Sequence, residues 1–545
     1  MAAIILVCFV LYSAMLFGVT RITSRNATND TYFRANRKAP WPVVAYGMIG
    51  ASLSGVTFMS VPGYVQTSQF TYFGVVIGNL IGYIVIALVL LPLYYKLDLT
   101  SIYTYLQKRF GFWSHRTGSF FFIVSRMLGS ALRMYLVVYV LYEFVFRSWG
   151  IPFWVPAVVF IALILLYTLK GGLRTIIWTD TLQTTFMLLA TIFTIYFILR
   201  ETDLSLFTLL KNASAEGYTK LIETNWRSDN FFLKQLVSGA FLTIAMNGLD
   251  QDMMQKNLSC RNLKEAQKNV FSLSFSLIFV NLLFLTLGAA LLYYASHTGF
   301  ALPEKSDSIF PAIAFDLSTI TVVLFVIGLL AAGYSSADGT LTSLTTAICF
   351  DFFEFDRKKS AEGKIKFPVK SVIGILAFCL LLAVLLILDV LHDPVQQKIG
   401  SLLLFAAVFL FVFYVLSILT ERDIPQKDQV KTRKIVHIIC AVLFFCIIVI
   451  FRPFHDDSLI KMVFNIAALS YGPLLGLFCF GLFTKWQVNE HYVPFVAVAA
   501  PLICYVLKLY SAEWFNGYVF GFELLLLNGL LTFLGLCLCI RKRSE

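Results

Sequence analysis

Long apolar runs recur along the whole chain and limit the folds that it can adopt. Each run has roughly 17 to 25 residues, the length that an α-helix needs to cross a hydrocarbon core about 30 Å thick. Of the 545 residues, 59% are hydrophobic and only 14% are charged, which is unusual for soluble domains. The sequence therefore predicts an all-α polytopic membrane protein with about fifteen transmembrane helices.

The fifteen runs are spread over the chain with mostly short connections. Their predicted bounds are 2–19, 42–64, 73–95, 119–146, 152–169, 176–199, 232–247, 270–296, 309–350, 371–391, 401–419, 435–451, 459–483, 493–510 and 518–540. The ninth run is too long for one crossing, so we expect it to begin outside the bilayer and to end in the cytoplasm.

Positive charge follows the odd-numbered runs, whereas the segments after even-numbered runs are nearly neutral or mixed. Basic residues fall in 21–38, 108–116, 170, 256–268, 358–366, 422–434 and 541–543. Because Lys and Arg accumulate in short cytoplasmic loops, we expect the N-terminus outside and the C-terminus inside a plasma, or bacterial inner, membrane. The net charge of +12 then indicates contact with lipid headgroups and no nucleic-acid partner.

Three charged residues stand out inside predicted spans, where each charge costs about 2.5 to 3.5 kcal/mol on insertion scales. Arg133 is near the centre of the fourth run, Asp180 is in the sixth and Asp338 is in the ninth. Two interpretations stay open. Arg133 forms a structural ion pair with one of the aspartates, or the three groups line a binding cavity.

A hydroxyl-bearing face marks the ninth run. Ala332, Ser335 and Ser336 have the i, i+3, i+4 spacing that places residues on one helical face. Two hydroxyl oxygens and a backbone oxygen then provide the hard ligands that an alkali cation needs. The alternative is that these hydroxyls only bond their own helix or a neighbouring one.

The second run is a poor continuous helix. Its segment "GMIGASLSGVTFMSVPGY", residues 47–64, combines Gly, Ser and Pro at the middle of a predicted span. An unwound stretch leaves backbone carbonyls without helical partners, and in a membrane these are tolerated only beside a cavity or a ligand. The alternative is a helix that is merely kinked.

Five blocks of the sequence resemble the sodium/solute symporter family, which includes carriers of glucose, proline, sialic acid, iodide and monocarboxylates. The blocks are "RKAPWPVVAYGMIGASLSGVTFMSVPGY", "YTLKGGLRTIIWTDTLQTTFML", "GLDQDMMQKNLSCRN", "AAGYSSADGTLTSLTTAICFDFF" and "YGPLLGLFCFGLF". The resemblance implies a LeuT-like core of two inverted five-helix repeats with peripheral helices, and a binding site near the membrane midplane.

The resemblance also implies a set of site residues. The sodium ligands would come from Gly50, Leu53, Ala332, Ser335 and Ser336. A second ion, or the coupling of ion to solute, would involve Asp180 and Asp338. The solute would contact Ser52, Ser54, Thr57, Phe58, Arg133 and Asn247.

The same resemblance implies four regions of the chain. Residues 1–41 are expected to form a peripheral helix and a basic loop, and 42–353 the core, with a broken helix at 42–64 and a serine helix at 309–350. Residues 354–430 are expected to carry an inserted helix pair, and 431–545 the remaining core and C-terminal peripheral helices.

The sequence thus predicts sodium-driven uptake of a small polar solute by alternating access. An unpaired Arg133 would favour an organic anion such as a sialic acid or a monocarboxylate. Proton-coupled symport of a sugar or an amino acid and a non-transporting membrane sensor remain alternatives. An enzyme is not expected, because no histidine accompanies Ser335 and Asp338 to complete a nucleophilic triad.

Overall fold

The computed structural model describes residues 2–25, 27–228, 230–355, 428–451, 459–518 and 520–541. The first helices are α1 Ala2–Thr23, α2 Asn29–Arg34, α3 Trp41–Ser52, α4 Gly55–Ser68, α5 Phe73–Lys96, α6 Thr104–Phe110, α7 Phe112–Leu141, α8 Trp154–Gly171, α9 Leu173–Glu201 and α10 Leu206–Ala215. The others are α11 Phe232–Gly248, α12 Gln251–Leu258, α13 Leu263–Thr298, α14 Ile309–Leu317, α15 Thr319–Phe352, α16 Gln429–Ile450, α17 Leu459–Phe483, α18 Val493–Trp514 and α19 Leu524–Leu538.

The described residues contain many helices that are able to cross a membrane. Ten are long and apolar enough, and two further pairs of bent helices raise the number to twelve if each pair is one span. Leu524–Leu538 is a shorter apolar helix. The polytopic all-helical fold is confirmed. The predicted runs 371–391 and 401–419 lie outside the described residues, so the number fifteen stays a prediction.

The second predicted run is broken into α3 and α4, which are bent by 58°. The helical hydrogen bonds of α3 end with the bond from the Leu53 N–H to the Ile49 carbonyl. Those of α4 begin with the bond from the Phe58 N–H to the Ser54 carbonyl. Ser54 between them has extended backbone angles. The carbonyls of the last turn of α3, beginning at Gly50, therefore have no partner along the helix.

A second break separates α11 from α12, with a bend of 67°. Asp250 lies in the break, and its carboxylate caps α12 by accepting hydrogen bonds from the N–H groups of Asp252 and Met253. The charge pattern of the sequence predicts Lys256 in a basic cytoplasmic loop after the seventh run. That prediction is wrong, because Lys256 is only 1% exposed within α12.

The ninth predicted run, 309–350, is not one helix. It divides into α14 and α15 at Ser318, whose backbone is extended. Ser318 and Thr321 form a reciprocal capping box that begins α15, so local hydrogen bonding compensates for the interruption. The serine helix therefore starts at Thr319, ten residues later than predicted.

Helix α9 packs against both α3 and α15, and α15 also packs against α7. Glycines allow the close approach of these helices to Val137 on α7. A Cβ at Gly55 would lie 2.8 Å from the Val137 side chain, and one at Gly333 would lie 2.9 Å from it. The start of α4, the serine helix and the turn after Arg133 consequently meet at one residue.

Candidate sodium and solute site

Helix α9 holds the broken helix in place through Thr184. The Thr184 Oγ1 accepts a hydrogen bond from the Gly50 N–H at 3.0 Å and donates one to the Asp180 carbonyl at 2.8 Å. A Cβ at Gly47, one turn before Gly50, would already lie 3.0 Å from the Asp180 Cβ. The beginning of the break is therefore fixed beside the turn that carries Asp180.

The serine face of α15 meets the same turn of α9. Ser335 donates a hydrogen bond to Oδ1 of Asp180 over 2.8 Å. Ser336 and Ala332 are 2% and 1% exposed, and the Ser336 hydroxyl has no hydrogen-bond partner among the described residues. A buried polar atom without a partner costs free energy unless a ligand satisfies it.

The structure thus links three of the predicted sodium-site and coupling residues by consecutive contacts. Gly50 reaches Asp180 through Thr184, and Asp180 reaches Ser335 directly. Leu53 lies in the break itself. The binding of an ion to this set stays a prediction.

A buried ionic network adjoins Asp180. The Lys256 Nζ is 2.9 Å from Oδ2 of Asp180 and 3.5 Å from Oδ1 of Asp252. Asp252 also forms an ion pair with Arg126. Arg126 in turn lies 3.6 Å from Oδ2 of Asp250. Two cationic groups and three carboxylates are therefore connected between α7, α9 and α12.

Asp338 has separate partners. Its Oδ2 accepts a hydrogen bond from the Tyr167 hydroxyl at 2.8 Å, and its Oδ1 accepts one from the Gly339 N–H at 2.6 Å. It also interacts electrostatically with Asp180 and Lys256. Asp338 therefore belongs to the same charged environment without bonding Asp180 directly.

Arg133 lines a small cavity and forms no ion pair with a described residue. The suggestion that Arg133 forms an ion pair with one of the predicted aspartates is wrong. Asp180 forms its ion pair with Lys256, and Asp338 accepts a hydrogen bond from Tyr167. The other residues around the cavity are Ser125, Arg126, Gly129, Ser130, Met246, Val463, Ile466, Ala467 and Tyr471. Arg126 is neutralised there by acidic partners, whereas Arg133 is not.

The remaining predicted solute contacts are divided between two places. Ser52 ends α3, and Ser54 and Thr57 begin α4 on the far side of the break. Asn247 is half-buried in the last turn of α11, next to Met246 of the cavity wall. Phe58 is fully buried. Its ring packs against Phe284, Phe310 and Phe325, so the structure places it in the hydrophobic core.

Residues 32–424 match the sodium:solute symporter family. The chain belongs to this family. The match extends over well more than half of the 545 residues and confirms the resemblance found in the sequence. The protein is accordingly an integral membrane, sodium-coupled solute symporter and not an enzyme, with sodium as a transported ion.

Two sialic acid carriers are among its relatives. The chain is 25% identical to the sodium/sialic acid symporter NanT of Aliivibrio fischeri over 65% of this chain and 71% of that protein. It is 26% identical to the sodium/sialic acid symporter SiaT of Proteus mirabilis over 70% and 78% of the two chains.

A solved structure shows the same fold. The Na+-coupled sialic acid symporter in a substrate-bound outward-open state superposes with a TM-score of 0.73, at 20% sequence identity, over 98% of this chain and 97% of that chain. At 20% identity the similarity shows the fold alone. The predicted LeuT-like fold is confirmed.

Four residues of the site are not among those predicted from the sequence. They are Thr184, Asp250, Asp252 and Lys256. One signal was present, because Asp252 and Lys256 are four residues apart and would share a helical face. The bend that turns this face inward is visible only in the structure.

Proposed function

We propose that the protein imports a small organic anion, such as a sialic acid or a monocarboxylate, together with sodium by alternating access. The observation that carries the choice of an anion is the cavity-lining Arg133, which has no acidic partner among the described residues. A guanidinium that faces a cavity binds a carboxylate through two parallel hydrogen bonds. The named relatives carry sialic acid, whose carboxylate would meet this requirement.

We propose that sodium binds between the carbonyls released at the break and the serine face of α15. The unpartnered Ser336 hydroxyl supports this position. The contact of Asp180 with Ser335 supports it too, because a nearby carboxylate favours a cation. Leu53 and Ala332 would complete an all-oxygen ligand set through their carbonyls.

The size of the cavity supports alternating access. Its volume of about 10 Å³ is roughly the room that one water molecule needs. An organic solute therefore requires the surrounding helices to separate before it can reach Arg133. A sodium ion that joins α3 to α15 would favour one arrangement of these helices over another, which couples the ion gradient to the movement.

Uptake into proteoliposomes tests the proposal. The purified full-length chain would be supplied with labelled sialic acid, lactate, glucose and proline, each under a sodium gradient and under a matched potassium gradient. We expect uptake of sialic acid or lactate under sodium alone, and no uptake of glucose or proline. Uptake that follows pH and ignores sodium would support the proton-coupled alternative instead.

A further inference from the structure

Lys256 is a buried cation at the centre of the site. It is among the largest fully buried side chains of the described residues, with 1% of its surface exposed. An ammonium group loses several kcal/mol of hydration when it is buried, so it needs compensating charges. Asp180 and Asp252 supply them at 2.9 and 3.5 Å.

The two oxygens of Asp180 face different partners. Oδ1 accepts the hydrogen bond from Ser335 at the serine face, and Oδ2 faces the Lys256 ammonium. A second metal cation between Asp180 and Asp252 would have to occupy the position of that ammonium group. The Lys256 side chain thus occupies the position where these two carboxylates would otherwise bind a free ion.

We infer that Lys256 serves as a tethered second cation, so that this carrier binds one sodium ion, at the serine face, in each transport cycle. The ammonium stays between Asp180 and Asp252 and, being part of α12, is not transported. This inference rests on the proposed function, because it presupposes the sodium site formed with Ser335 and Ser336.

The number of sodium ions bound by the purified full-length chain tests the inference without knowledge of the solute. Equilibrium binding of radioactive sodium at saturation should give one ion per native chain. The Lys256→Gln variant should bind two ions, because the emptied position keeps the Asp180 and Asp252 carboxylates. Lys256→Arg keeps the positive charge and should bind one, as should the control Lys220→Gln in an exposed loop.

The outcomes separate the two proposals. Two ions bound by the native chain would overturn the tethered cation and leave sodium coupling intact. No sodium bound by the native chain would overturn both proposals. One ion bound by a folded Lys256→Gln variant would also overturn the tethered cation, since the vacated position would then not be a cation site.

A second variant and a second measurement cover the case in which Lys256→Gln does not fold. Lys256→Met keeps most of the aliphatic stem and should likewise bind two ions. The rise of the unfolding temperature with sodium concentration reports the number of ions bound to the folded state. It should be steeper for Lys256→Met than for the native chain, and an equal rise would contradict the inference.

Discussion

Ser335 and Asp180 join the serine helix to α9 through a hydrogen bond of 2.8 Å. The other oxygen of the same carboxylate is held by the Lys256 ammonium at 2.9 Å. One side chain therefore connects the proposed sodium site to the buried ionic network. A substitution of Ser335 or Lys256 therefore changes the electrostatic potential at the proposed cation site, and the direction of its effect on cation binding can be predicted.

Removal of the Ser336 hydroxyl should weaken sodium binding. Since this oxygen is buried and no described residue bonds it, Ser336→Ala should lower the sodium affinity at least tenfold, or about 1.4 kcal/mol. Radioactive sodium binding measures the change. Ser343→Ala is the matched control, because Ser343 is buried on the same helix and its hydroxyl bonds only its own preceding turn within the described part of the chain. Equal affinities of the two variants would exclude Ser336 as a ligand.

The hydrogen bond of Thr184 to the broken helix should support both stability and sodium binding. Thr184→Val preserves the shape of the side chain but removes the partner of the Gly50 N–H. We therefore expect the free energy of unfolding to fall by about 1 kcal/mol. Thr184→Ser should retain most of the native behaviour. Thr191→Val is a control on α9, since among the described residues the Thr191 hydroxyl bonds only the Met187 carbonyl. Unfolding temperatures in sodium and in potassium would show the difference, and a Thr184→Val variant that behaves like the control would contradict it.

Substitution of Arg133 should affect the solute more than the ion. Charge-assisted hydrogen bonds contribute about 1.5 to 3 kcal/mol, so Arg133→Gln should raise the KM for a transported carboxylate by about 10- to 100-fold. Arg133→Lys keeps the charge without the bidentate geometry and should be intermediate. Arg147→Gln, at an exposed arginine, is the control. An unchanged KM would place the carboxylate elsewhere.

Transport of a monoanion with one sodium ion should be electroneutral. The membrane potential, worth about 2.3 kcal/mol per charge at 100 mV, then acts equally and oppositely on the two ions. A tenfold sodium gradient would support only about tenfold accumulation of the anion. Currents on a supported membrane should be absent for the native chain and present for an active Lys256→Gln variant. A native current would indicate more than one sodium ion per anion.

A methyl group at Gly339 should disturb the ionic network. A Cβ there would lie 2.6 Å from Oδ1 of Asp252, and this carboxylate is held by both Arg126 and Lys256. Gly339→Ala should therefore destabilise the protein by about 1 to 3 kcal/mol. Gly18→Ala is the control, because no atom of the described structure lies within 4 Å of its Cβ position on α1. An unfolding temperature for Gly339→Ala at or above that of the control would show that Asp252 moves freely.

Much of the fold follows from the sequence, because hydrophobic length and backbone propensity are local properties. The predicted run 73–95 corresponds to the helix Phe73–Lys96. Around Ser54, glycine and serine in an apolar run indicated the break that the structure contains. Where a serine could cap a new helix, as at Ser318, hydropathy alone missed the interruption.

The sequence by itself determined the polytopic helical fold, the family, the break in the second run and the hydroxyl face of the serine helix. Only the tertiary structure decided the partners of the charges. Lys256 follows an apolar run and so resembles a loop lysine, and Asp180 is distant from it in the chain. The bend between α11 and α12 brings the two groups to 2.9 Å. Ion pairing depends on distance in space, and no local pattern of residues specifies which charges a fold will bring together.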